Sequence, residues 1–287
     1  MIGIFTKSPD EVFLEKLNLP FQLLEVGSNV AKIDGLFLDW VPPTLEKDFI
    51  YQAQLVERYI KKIPIVIFDR HFSVTHQEAT WMKKFKTFMF EPALLTGRSE
   101  FTYLPEWTSY YSVLDDDGER KYNVIDISKN LEYRIDSFEK WYMEYARYYP
   151  DKKVAYYTKS DIANFKKDEY KKSNLIFIEG KVLPDYTVSD FTVINSTKNI
   201  CEIGYLDPVY FIAMNHGCIP LLPEEHRFFH SIFKNLIVTD LREMDYYIGL
   251  YNKVNGQIIE DIFDRIKKFF PEFTVEYASD IIRECFK

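Results

Sequence analysis

The chain has little cysteine: three residues (Cys201, Cys218, Cys285) in 287. They are too few and too scattered for a disulfide framework or a zinc cluster, and point to a reducing, cytoplasmic setting. The opening MIGIFTKSPD has no basic flank, apolar core or small-residue cleavage site, so it does not read as a signal peptide. No run of about 18 uncharged apolar residues is present, which argues against an ordinary membrane span. There is no repeat of 20–50 residues, the mark of a solenoid. Neither a Gly-rich phosphate loop nor a G-x-S-x-G elbow occurs.

Positive charge is also short. The net charge is −8, with 18 basic and 23 acidic residues in 1–150 and 18 and 21 in 151–287. Neither half has the surplus of a domain that grips nucleic acid through phosphates alone, so a polyanionic partner would need a local basic strip. What is plentiful is apolar and aromatic residues, 47% and 17%. With 28% charged residues this is a globular composition, enough for about two domains.

Apolar runs and helical patterns alternate. MIGIFT, FQLLEV (21–26), GLFLDW (35–40) and IPIVIF (63–68) read as strands, the last unbroken and covered on both faces. Ser8 with Glu11 forms a capping-box pattern for a first helix. Residues 46–62 form an amphipathic helix with Ile50, Ala53, Leu55, Val56 and Ile60 on one side. A helix over 75–86 and a strand FMFEPAL follow. Residues 96–135 show no regular pattern, and Asp115-Asp116-Asp117-Gly118 reads as a solvated turn. A helix over 137–148 ends before Pro150, where the domain division is placed.

The rhythm then restarts. VAYYT (154–158), NLIFIEG (174–180), FTVINST (191–197), CIPLL (218–222) and LIVTD (236–240) read as strands. Residues 160–172 form a basic helix. LDPVYFIAMNHG (206–217) is a helix with Pro208 in its first turn and Gly217 past its end, with Ile212, Ala213 and Met214 as core. Helices over 240–254, 257–270 and 275–286 finish the chain. The fold class is α/β: two Rossmann-like domains, 1–150 and 151–287, facing a cleft, with the last helix able to pack back on the first domain.

Five groups of residues could carry chemistry. Asp69-Arg70-His71 follows the strand 63–68, where a carboxylate, a guanidinium and an imidazole suit base and anion-binding work; the plainer reading is a polar loop whose Asp caps a helix. Asp207 at the start of the 206–217 helix could hold nucleotide hydroxyls or simply cap the helix, and Gly217 serves its left-handed turn. Lys159 and Lys181 follow strands and could neutralise a diphosphate, or be surface lysines. Lys83, Lys84 and Lys86 with Trp81 and Phe85 form the one short basic-aromatic strip, read equally as a solvated helix face. His226 and His230 after Glu224-Glu225 have metal-like spacing but no third ligand.

FIAMNHGCIPLL resembles the donor-site segment of GT-B glycosyltransferases, in which AxxxGCIPV recurs. DGLFLDWVPPT (34–44), a helix and then IPIVIFDRHFS (63–73) resembles the first domain of the T-even phage DNA α-glucosyltransferase family; bacterial CgeB-type glycosyltransferases share the second block. The resemblance implies a UDP-sugar donor bound by the second domain, with Tyr205 and Asp207 on its sugar or ribose, and no bound metal or other cofactor. It implies an acceptor hydroxyl delivered by the first domain, in the phage family 5-hydroxymethylcytosine of duplex DNA, in the host cytoplasm. Two departures stand out. Ile212 takes the place of the family's Glu five residues before the Gly, and the H-D-H run is altered to Asp69-Arg70-His71. A CgeB-like acceptor (surface glycan, lipid or protein) and a non-catalytic nucleotide-binding module are the alternatives.

Overall fold

The apolar runs become two parallel sheets in a computed structural model, which describes residues 1–7, 9–27, 30, 32–69, 76–89, 101–105, 107–109, 120–126, 136–158, 174–179, 189–193, 209–251 and 255–287. The chain divides into two compact units. One comprises Met1–Ser109 with Phe270–Lys287, the other Tyr110–Phe269.

The first unit holds β1 (Ile2–Phe5), α1 (Glu11–Leu17), β2 (Phe21–Leu23), β3 (Gly35–Asp39), α2 (Glu46–Tyr59), β4 (Ile65–Asp69), α3 (His76–Met82), β5 (Lys86–Met89) and β6 (Thr102–Tyr103). The strands are all parallel, in the order β2-β1-β3-β4-β5-β6. β3 and β4 are buried along their whole length, as unbroken apolar runs require. Asp10 is the N-cap of α1, its carboxylate accepting from the Phe13 N–H at 3.0 Å. The predicted cap Ser8 lies outside the described residues. α2 buries Gln52, Leu55 and Val56, whereas Ile50 stays 47% exposed and Ala53 and Ile60 also face outward. The predicted face is thus rotated toward the one carrying Gln52, which both accepts from the Val41 N–H (3.0 Å) and donates to the Val41 carbonyl (2.8 Å). Those two bonds satisfy backbone that leaves the sheet inside the core.

The second unit holds β7 (Tyr122–Asp126), α4 (Asp136–Tyr148), β8 (Val154–Thr158), β9 (Leu175–Glu179), β10 (Ser189–Val193), α5 (Val209–Asn215), β11 (Ile219–Pro223), α6 (His230–Phe233), β12 (Ile237–Val238), α7 (Leu241–Tyr251) and α8 (Asn255–Phe269). Its order is β12-β11-β10-β7-β8-β9, again all parallel. The last helix, α9 (Val275–Glu284), belongs to the first unit, where Arg283 donates to the Lys16 carbonyl at 3.3 Å and Lys16 pairs with Glu276 at 3.5 Å. Gly35 makes room for that return, because a β-carbon there would sit 2.6 Å from the Phe286 ring.

A division after Pro150 would separate β7 and α4 from their own sheet. The break falls at Ser109/Tyr110, since β7 is hydrogen-bonded on both sides, to β8 and β10. Among the described residues no helix is long and apolar enough to cross a membrane.

Candidate functional site

Parallel α/β sheets bind ligands beyond the carboxyl ends of their strands, where the order reverses. In the first unit that point is β1, flanked by β2 on one side and β3 on the other. Two side chains meet there: the Thr6 hydroxyl donates to the Asp39 carboxylate at 2.9 Å. Both line a cavity of about 10 Å³ together with Asp10, Ile4 and Phe13, room for about one water. Asp10 also accepts from the Trp107 indole N–H at 3.4 Å and from the Ser109 hydroxyl. A carboxylate accepts hydrogen bonds and does not donate them, so this edge suits a ligand that presents hydroxyl or N–H groups.

Asp69 ends β4, fully buried. Side chains alternate across a strand, so Asp69 shares the face of Ile65 and Ile67, whose core includes Trp40, Leu55 and Val56 of the α2 side. Asp39 shares the face of Phe37, which packs on Phe13 of α1 at 6.0 Å. The two carboxylates thus belong to opposite faces and do not form a carboxylate pair. Arg70 and His71 lie outside the described residues.

The basic-aromatic strip is differently built from its prediction. α3 stops at Met82, so Lys83 and Lys84 are exposed in a turn and Lys86 opens β5. Trp81 and Phe85 pack inward, Trp81 edge-on to Trp40 and to Phe85, each at 5.8 Å. The Lys86 ammonium lies 5.3 Å over the Phe88 ring. The lysines are available to a partner; the rings are not stacking platforms.

In the second unit the order reverses between β7 and β10. β7 ends in Asp126, buried and accepting from the Tyr142 hydroxyl of α4 at 2.5 Å. Tyr142 stacks with Tyr156 of β8, centroids 6.3 Å apart, and Tyr156 donates to Glu139 at 2.5 Å. The predicted donor residues Lys159, Lys181, Tyr205 and Asp207 lie outside the described residues. Gly217 is described, at φ 77°. Its N–H reaches the Met214 carbonyl and that of Cys218 reaches Ala213, both at 2.9 Å, the paired bonds that end a helix on glycine. Tyr210, Ala213 and Met214 form the buried face of α5, while Ile212 is 38% exposed rather than core, because two residues from Tyr210 point away from that face.

His226 and His230 do not share a face. His226 is buried and hydrogen-bonded to the Tyr210 hydroxyl, whereas His230 is exposed. Burial pushes the His226 pKa down to about 3, so it is neutral. Among the described residues no group of three His, Cys, Asp or Glu could hold a metal ion.

Asp39 and Asp126 are absent from the predicted site, although Asp39 carries the strand-end signal of Asp69; Asp126 ends a strand that local pattern does not show. GLFLD, IVIFD and YNVID each end a strand in a buried aspartate.

No family model and no curated protein matches the chain. Solved structures do. An O-GlcNAc transferase of Thermobaculum terrenum is similar at 10% identity with a TM-score of 0.54, over 99% of this chain and 67% of that one. S. aureus TarM, solved with fondaparinux, α-GlcNAc-glycerol and UDP, is similar at 9% identity and a TM-score of 0.53, over 88% of this chain and 55% of that one. The chain therefore spans little more than half the length of TarM. The UDP-GlcNAc 2-epimerase of Neisseria meningitidis, bound to UDP-GlcNAc, is similar at 10% identity and a TM-score of 0.50, over 99% of this chain and 98% of that one. At such identities the likeness speaks for the fold, which is the two-unit Rossmann-like arrangement of the GT-B class.

Proposed function

We propose that the chain is a glycosyltransferase that moves a sugar from a UDP-sugar to a hydroxyl acceptor, with 5-hydroxymethylcytosine in DNA as that acceptor. The observation that carries the reading is the pair of parallel sheets, each with an aspartate buried at its reversal point, in a fold shared with structures that hold UDP or UDP-GlcNAc. The acceptor class rests on the resemblance of residues 34–44 and 63–73 to the phage family. In this reading His71 takes the acceptor proton. Asp69, having no exposed surface, orients the segment after β4 rather than meeting the substrate. Thr6 and Asp10, which are half-buried, receive acceptor hydroxyls, and the buried Asp39 orients Thr6. Lys159 and Lys181 offset the charge of the departing diphosphate, while Tyr205 and Asp207 hold the donor.

The test is incubation with a panel of UDP-sugars and hydroxymethylated duplex DNA, followed by digestion to nucleosides and mass analysis. A sugar-sized mass gain on hydroxymethylcytosine is expected, and His71→Ala should lower kcat by about 10²-fold or more. UDP release without a gain on DNA would reject the DNA acceptor, leaving a glycan, lipid or protein. The near-complete mutual coverage with the 2-epimerase favours a second reading, epimerisation of the UDP-sugar itself. Proton NMR of the donor separates the two, since an epimerase inverts a sugar carbon and passes no sugar to an acceptor.

A further inference from the structure

A pocket of about 310 Å³ lies beside the edge strand β12 and the carboxyl end of β11, walled by the turns Glu224–Phe229 and Lys234–Leu236, by α6 and by the start of α7. Three basic side chains line it, Arg227, His230 and Lys234, with the Asn235 amide beside them. Two carboxylates share the wall, and both are engaged. Glu224 pairs with Arg227. Glu243 accepts from the Thr239 N–H at 2.7 Å and from its hydroxyl at 2.8 Å. Among the described residues, neither His230 nor Lys234 has an ion-pair partner.

The backbone supplies a second observation. Lys234 sits at φ 46°, ψ −117°, a conformation that suits glycine and strains any residue with a β-carbon. A turn needed only for chain reversal is best served by glycine. A lysine here sets stability against an ammonium held at the pocket wall, the pattern of strain at functional sites.

We propose that this pocket is a phosphate-binding site, taking the phosphate or diphosphate group of a small phosphorylated molecule. Lys234 supplies the charge, His230 and Asn235 supply N–H donors, and the pocket is within the size range of small-molecule sites. β12 is the edge strand, and β11 lies one strand, about 5 Å, from β10 of the β7–β10 reversal point, so binding in the presence of UDP tells this site from one at the reversal point. It depends on the geometry of this edge and not on the transferase reading.

The test is calorimetric titration of the full chain with inorganic phosphate and with pyrophosphate, alone and in saturating UDP. Saturable binding that persists with UDP is expected. Lys234→Gly should weaken it about tenfold and, by relieving the backbone, raise the unfolding midpoint by about 2 °C. Lys234→Met keeps the strain and removes the charge, so it should weaken binding with no such rise. Absence of saturable binding, or unchanged affinity in both variants, overturns the proposal. Loss of phosphate binding in UDP also overturns it, because the anion then belongs to the nucleotide's own site.

Discussion

The two units solve one problem with two strand orders. The first runs β2-β1-β3-β4-β5-β6, reversing beside its first strand; the second reads from its other edge as 3-2-1-4-5-6 in its own strands, reversing beside its first as well. Each buries an aspartate there. Asp39 is held by Thr6, a neighbour from the end of the adjacent strand and 33 residues away, and borders a cavity. Asp126 is held by Tyr142 from the helix that follows it, 16 residues away, and is wholly enclosed. The lesson is that a strand-end carboxylate marks the edge in both sheets, but its surroundings decide whether it can meet a ligand. Asp39 has space beside it, and Asp126 has an aromatic helix.

The largest test of this parallel is paired core truncation. Phe68, stacked on Trp107 at 5.2 Å, and Phe191 are both fully buried in the sheets. Phe68→Ala and Phe191→Ala should each cost about 3–5 kcal/mol in urea unfolding. A cost below about 1 kcal/mol for either would break the equivalence of the two cores.

Acid should separate the units. His226 is neutral and buried in the second unit, with its pKa lowered by burial from 6.5 to about 3. Its contribution is fully present above pH 6.5. Below that the unfolded chain takes up a proton that the folded one refuses, so stability falls with pH toward 3. Between pH 7 and pH 5 the loss is about 2 kcal/mol. His226→Gln should flatten this part of the pH dependence, read by urea unfolding at both values. An unchanged slope would assign the acid sensitivity elsewhere.

The smallest expected effect sharpens the first unit's site. Asp10→Ala removes the α1 cap and the acceptor for Trp107 and Ser109. It should cost about 1–2 kcal/mol, measured as a fall in thermal midpoint.

Much of this architecture is legible in the chain. β3, β4 and β11 are apolar runs whose length and punctuation leave little choice. α8 and α9 carry strong amphipathic periodicity, and Gly217 marks its helix end because only glycine takes that φ freely. β7 escaped notice because YNVID is five residues long, half-polar and follows an acidic run, so local pattern gives it no more weight than a loop. It is a strand because two neighbours, 154–158 and 189–193, bond to it from either side. The same cause moved the domain break, since the sheet to which a strand belongs is a long-range property.

By itself the sequence determined the α/β class, most strands and helices, and the aspartate at the end of β4, because these follow from hydrophobic period and local backbone chemistry. Only the tertiary structure decided that Asp39 meets Thr6, that Gln52 rather than Ile50 faces the core, that Asp39 and Asp69 lie on opposite faces, and that Lys234 pays for its place with strain. Each of these depends on which segments pair and on how the helices turn on the sheet, distances in space that no local pattern of residues encodes.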